Sequence, residues 1–175
     1  KRLLAKYYRV GVAIGPFTSG VEADDGWWTS DDMNFYSSVL YDIYLGPTHT
    51  SGNCVGFMRF PSIPILSGEV IASAILSITQ RNSFLTPTSV DIYANDVDNA
   101  VAPTTAAQGE ALVKTTNYET WTLPAVANET VITSPDIKDV IQEVIDSPSF
   151  VSNNAIMLII KALGSANQKY VIAYS

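Results

Sequence analysis

Apolar side chains recur at every second position along most of this chain, the period of β-strands, and at helical spacing in one segment only. Residues 7–14 are rich in aromatic and β-branched side chains and run into Gly15-Pro16, which predicts a strand and its end. Residues 15–34 are polar and Gly- and Asp-rich, and predict a loop carrying Asp24-Asp25-Gly26-Trp27-Trp28. A second aromatic stretch at 35–45 closes at Gly46-Pro47, and an apolar run at 55–60 is bounded by Pro61 and Pro64. Residues 69–80 predict a long strand. Val70, Ala72, Ala74, Leu76 and Ile78 share one face and Ile71 and Ile75 the other, the pattern of a central strand buried on both sides. Shorter strands are expected at 89–94 (Val90 and Ile92 inward), 111–114, 119–123, 129–133, 155–162 and 170–174, with residues 95–109 as loop.

The helical segment has its own start signals. Ser134-Pro135-Asp136 places an N-cap, a first-position proline and a first-turn acid in order. Ile137, Val140, Ile141, Val144 and Ile145 then fall on one helical face, and Pro148 stops the run, so one short amphipathic helix is expected over about 135–147. About eight to ten strands and one helix predict an all-β antiparallel β-sandwich.

Composition narrows the classes. Hydrophobic residues make up 47% of the 175 and charged ones 15%, against about a quarter in ordinary domains. That combination excludes a disordered chain. A single cysteine excludes an internal disulfide framework, and Cys54 with His49 cannot supply the four ligands of a zinc site. The longest unbroken apolar run, 155–160, is too short to span a bilayer as a helix. A surface this poor in charge and rich in Ser, Thr and Asn suits a protein outside a cell or packed into an assembly.

The charge is unevenly placed. Lys1, Arg2, Lys6 and Arg9 lie ahead of the first acid, Glu22, so the first nine residues carry +4 while the remainder carries −11. This divides the chain into a basic N-terminal arm with the first strand (1–14) and a sandwich domain (15–175). Such an arm reads as a docking segment for an acidic partner surface; the alternative is a solvated terminus that keeps an edge strand soluble. Nucleic acid is excluded as a partner, because the acidic body repels phosphate. Opening on Lys1 without an apolar leader implies further sequence upstream.

Catalytic signatures are absent from the sequence: no Gly-x-Ser-x-Gly elbow, P-loop, dinucleotide fingerprint or histidine pair occurs, and no acid pair stands out for glycoside hydrolysis. A cofactor is not expected. Glu22, Asp24, Asp25, Asp31 and Asp32 lie close together, and hard oxygen ligands at that density suit calcium; the alternative is a set of turn-forming residues in solvent. Asp96, Asp98 and Asn99 form a second such group. Trp27, Trp28, Tyr36 and Tyr118 are candidates for stacking on a glycan or a neighbouring subunit. In an extended segment adjacent Trp27 and Trp28 face opposite ways, one anchoring and one outward. Trp121 reads as core.

Several motifs together resemble the jelly-roll domains of bacteriophage virion proteins and of secreted bacterial proteins of the DNRLRE type. They are Asp24-Asp25-Gly26-Trp27-Trp28, Gly56-Phe57-Met58-Arg59-Phe60 with 70–74, and Val90-Asp91-Ile92-Tyr93-Ala94 leading into Asp98-Asn99-Ala100. The last runs from Ser134-Pro135-Asp136-Ile137 through Val140-Ile141-Gln142-Glu143-Val144 to Ser152-Asn153-Asn154-Ala155-Ile156. Phe150 stands where a Trp is common in the family and Asn153 where a Gly is common. The resemblance spans about residues 21–162 and implies a jelly-roll fold. It also implies an architectural or adhesive role: a virion surface protein such as a capsid decoration or a tail or fibre component, built as a homo-oligomer with other virion proteins as partners. The alternative is an extracellular carbohydrate-binding module for cell-surface glycans. Within the motifs, Arg59 on an apolar strand and Glu143 on the helix are expected to pair as a structural clamp.

Overall fold

The computed structural model describes residues 4–9, 12–18, 24–31, 33–37, 42–47, 53–80, 87–163 and 171–174. In chain order the elements are β1 (Leu4–Arg9), β2 (Val12–Thr18), β3 (Asp25–Thr29), β4 (Phe35–Ser37), β5 (Asp42–Pro47), β6 (Asn53–Ile63) and β7 (Ile71–Thr79). They continue with β8 (Thr88–Ala94), α1 (Ala106–Glu110), β9 (Glu119–Leu123), β10 (Val131–Thr133), α2 (Lys138–Ile145), β11 (Asn154–Ala162) and β12 (Val171–Tyr174).

Strands β6 and β11 pair antiparallel from Val55↔Lys161 to Ile63↔Asn154 and form the middle of the larger sheet. That sheet extends on one side through β3 to β4 and on the other through β8 to β9. At the far end of β6, β5 joins through Gly46↔Cys54 and carries β12. A four-stranded sheet, β10-β7-β1-β2, packs against the larger one. All pairings are antiparallel, and the chain alternates between the sheets along β6, β7, β8 and again along β9, β10, β11, the crossover habit of a jelly roll. The fold is an all-β antiparallel sandwich.

Alternation explains why β6 and β11 read as unbroken apolar segments. Met58, Phe60, Ile156, Leu158 and Ile160 enter the core between the sheets, together with Val90, Ile92, Ala74, Leu76, Ile78 and Trp121. Their neighbours Val55, Phe57, Met157 and Ile159 point outward into a second apolar cluster with Trp28, Ala100 and Ala106. The 100–112 segment and α1 lie over that part of the outer face. Fully burying one such side chain contributes roughly 1.5–3 kcal/mol.

Helix α2 buries Val140, Ile141, Val144 and Ile145, the face expected from their spacing. Its start differs from expectation. The cap position falls at Ile137 without a side-chain cap, and the helix is shorter than 135–147. The polar residues ahead of it are shared with β7, and Asp136 Oδ1 also accepts from Lys138 N–H at the start of the helix. Ser134 Oγ accepts from Leu76 N–H, Asp136 Oδ1 from Ala74 N–H and Gln142 Oε1 from Ile71 N–H. Gln142 Nε2 donates to Glu69 O. These side chains continue, along the edge of β7, the pairing that β10 makes only through Val131↔Thr79, Ile132↔Ile78 and Thr133↔Ser77.

Other expectations are corrected. A second helix, α1, lies where loop was expected; Thr105 Oγ1 accepts from Gln108 N–H at its start. The 15–34 segment contains β3, because Gly26 lets strands approach closer than a side chain allows: a Cβ there would lie 2.6 Å from Tyr36 O. Pro61 sits inside β6, absorbed by a register shift with Ser62 at φ 57°. The strand expected at 111–114 is a single bridge, Asn95↔Lys114. Val70 precedes β7 and is exposed, and Ile75 is half-buried, so β7 is central without being buried on both faces.

The N-terminal segment is part of the sheet. Arg9 lies opposite Val12, so the chain reverses within 7–14, and β1 is hydrogen-bonded to β2 on one side and to β7 on the other. Lys6 and Arg9 are therefore residues of an internal strand instead of a free docking arm. Lys1 and Arg2 lie outside the described residues.

Candidate functional site

Some of the motif residues quoted above, Asp24, Arg59, 98–100 and 153–155, meet in one hydrogen-bonded network at the side of the larger sheet. Arg59, on the outward-facing side of β6, donates from Nη1 to Asp24 Oδ1 at 2.5 Å and from Nε to Ala100 O at 2.6 Å. Ala100 N–H in turn donates to Ala155 O, and Ala155 N–H to Asn99 Oδ1. Asn154 Nδ2 donates to Asp98 O, and Ser147 Oγ to Asp98 Oδ1. Asn153 takes φ 73°, the left-handed conformation that Gly or Asn tolerates, and its N–H reaches Ile63 O. These residues are spent on holding loops to strands.

The Arg59–Glu143 pairing is thereby corrected. Arg59 pairs with Asp24, while Glu143 accepts from Thr116 N–H at 2.7 Å and Asn117 N–H at 2.8 Å. The two lie on different sides of the structure, because Arg59 faces outward from β6 and α2 packs on the inner core. Burial alone would disfavour the charged form of Glu143, but the two amide hydrogen bonds outweigh it and hold the pKa below the ordinary value. Glu143 also lines a pocket of about 400 Å³ with Asn117, Asp139, Gln142 and Asp146. Gln142 and Glu143 there are already committed to backbone groups.

The candidate aromatics fall into three separate places. Trp28 is 1% exposed, packed in the outer cluster beneath α1, with its indole N–H donating to Glu110 Oε1. Trp27 points the opposite way, as the extended segment requires. It stacks on its cross-strand partner Tyr36, centroids 4.0 Å apart and planes 14° from parallel, and meets Tyr44 at 4.6 Å. Tyr36 is 44% exposed on β4, which pairs only with β3 among the described residues. Tyr118 is 53% exposed at the other border of the sheet and stacks on Tyr93. Trp121 is core, as expected.

The described members of the acidic group do not converge. Asp24 and Asp25 are buried and Asp31 is exposed; Glu22 and Asp32 lie outside the described residues, as does His49. Among the described residues no cluster of three His, Cys, Asp or Glu side chains suited to a metal forms. Asp98 and Asn99 of the second group serve the network above. Cys54 is buried and forms no disulfide. Among the described residues no helix is long and apolar enough to cross a membrane.

Sequence reasoning missed Tyr93, Asp91 and Thr120, which gather beside Tyr118. Thr120 Oγ1 donates to Asp91 Oδ1 at 2.7 Å. Burial first, then the Asp91 carboxylate and Tyr118, push the Tyr93 hydroxyl above the ordinary tyrosine value. The available signal was alternation: with Val90 and Ile92 inward, Asp91 and Tyr93 must share the outward face. In comparisons with family models and with curated proteins, the chain matches none.

Proposed function

We propose that this chain is a non-enzymatic structural module of a virion, a capsid decoration or a tail or fibre component, that assembles with copies of itself through uncharged sheet edges. One observation carries the assembly reading: among the described residues strand β4 ends the larger sheet with Phe35-Tyr36-Ser37, free of charge and proline, and Tyr36 stands half-exposed on the stacked Trp27. Sheet edges that stay unpaired are usually guarded by lysine, proline or a bulge. An unguarded edge with a propped aromatic suits addition of a strand from a second copy, with the ring buried at the contact. The second copy is favoured as occupant because residues 33–47 contain one acid and no base, so like-charged chains meet there with little repulsion. The virion setting rests on the motif resemblance alone, as does surface placement on the particle.

Amide hydrogen exchange tests the edge. With rising protein concentration, exchange across Phe35–Ser37 slows while Val131–Thr133, at the other sheet's border, stays unchanged. Exchange in β4 that ignores concentration contradicts the reading. The glycan-binding alternative draws on a different face, where Tyr118 stacks on Tyr93.

A further inference from the structure

The outer face of β8 and β9 carries a row of polar side chains with an aromatic ring at one end. Strand pairing sets Ser89 opposite Thr122 and Asp91 opposite Thr120. On the other flank Lys161 of β11 lies opposite Asp91 and is exposed. Residues opposite each other on neighbouring strands project from the same face. Alternation puts Tyr93 on that face too, and Tyr118 stacks on it with centroids 5.2 Å apart and planes 30° from parallel. The outer apolar cluster ends at Tyr93, which packs against it. Beyond Tyr93, toward Ser89, the face turns polar.

The side chains on this face are held in place. Asp91 is 8% exposed, with one oxygen accepting from Thr120. Ser89 and Thr122 hydroxyls lie 3.2 Å apart. Tyr93 backs one face of the Tyr118 ring, so the opposite face meets solvent in a fixed orientation. From Ser89 to Tyr93 the strand runs about 14 Å, enough for a short oligosaccharide.

We infer that this face binds a neutral glycan. A sugar ring presents C–H groups on one side, which pack on the open face of Tyr118, and hydroxyls at its rim. The rim hydroxyls find hydroxyls in Ser89, Thr120 and Thr122 and a donor in Lys161, while the buried Asp91 carboxylate holds the Thr120 hydroxyl in place. The Asp91 carboxylate and the chain's net charge of −7 repel an acidic glycan and leave the neutral ones. The inference rests on this face alone and is independent of the β4 edge.

The test is an array holding neutral glucans, mannans and galactans beside sialylated and uronate-containing glycans, probed with the full chain. Expected is retention on at least one neutral glycan, weakened at least tenfold by Tyr118→Ala and unchanged by Tyr36→Ala. Tyr118 is exposed, so its variant keeps the fold, which far-UV circular dichroism verifies. Failure to bind any neutral glycan overturns the inference. So does preference for the acidic glycans, or binding that Tyr118→Ala leaves intact.

Discussion

Arg59 joins three stretches distant in sequence: its own strand β6, the start of β3 through Asp24, and the 98–100 turn through Ala100 O. Both charges are largely withdrawn from water, so removing the guanidinium costs the Asp24 carboxylate its charged neighbour and Ala100 O a donor. Arg59→Leu is expected to destabilise the protein by about 2–4 kcal/mol in urea unfolding. A loss within a few tenths of a kcal/mol would show the pair to be ornamental. Gly109 makes a prediction against propensity. In a helix interior alanine is better than glycine by about 1 kcal/mol. A Cβ at Gly109, however, would lie 2.7 Å from the buried Trp28 indole. Gly109→Ala is therefore expected to cost about 1–3 kcal/mol and to change Trp fluorescence; a stabilised variant with unchanged emission would contradict the packing.

Among the elements, the edge of β7 is maintained by side chains of a helix and its approach instead of by another strand. Gln142 alone answers both Ile71 N–H and Glu69 O. Gln142→Leu keeps the helix but leaves a partly buried amide unpaired, at a cost of about 1–3 kcal/mol. Exchange of the Ile71 amide then speeds up while that of Ile78, paired within the sheets, does not; equal protection in the variant would contradict this. Glu143 predicts a pH effect. Its folded-state pKa is lowered, so its contribution is complete above the unfolded glutamate value and is lost as pH falls through the lowered folded value. Glu143→Gln should be less stable than the parent near neutrality, with the gap closing under acid. A gap that is constant with pH would mean the 115–117 turn is not held by charge.

The sandwich was legible at this scale because its core strands carry their own pattern. The face of α2 was read correctly from its helical spacing, and strands were expected where β6, β9 and β11 lie. What escaped was set by contacts far along the chain. A Gly- and Asp-rich stretch forms β3 because Gly26 meets Tyr36 and Phe57 and Asp24 meets Arg59. Ser134 and Asp136 carry helix-start chemistry, yet Ser134 Oγ turns to β7, and Asp136 Oδ1 serves Ala74 of β7 as well as Lys138 of the helix. The start of α1 had a local signal, Thr105 followed three residues later by Gln108, hidden inside an Ala- and Thr-rich segment. Of the candidate residues, sequence gave the opposed directions of Trp27 and Trp28 without showing which one α1 would cover. It did not reveal that Tyr118 leans on Tyr93.

For the whole molecule, the reading as an assembling module has a simple physical consequence. Charge is scarce, and residues 33–47 hold one acid and no base, so the sheet border at β4 presents little electrostatic barrier to a second copy. The most direct measurement is the mass of the chain in solution by light scattering over a range of concentrations, beside the variant Tyr36→Lys. Tyr36 is half-exposed at an edge, so lysine there is expected to change the fold's stability little while guarding the edge. The predicted result is a discrete multiple of 18.9 kDa for the parent and 18.9 kDa for the variant. A parent that stays at 18.9 kDa at every concentration, or a variant with the parent's multiple mass, would contradict assembly through β4.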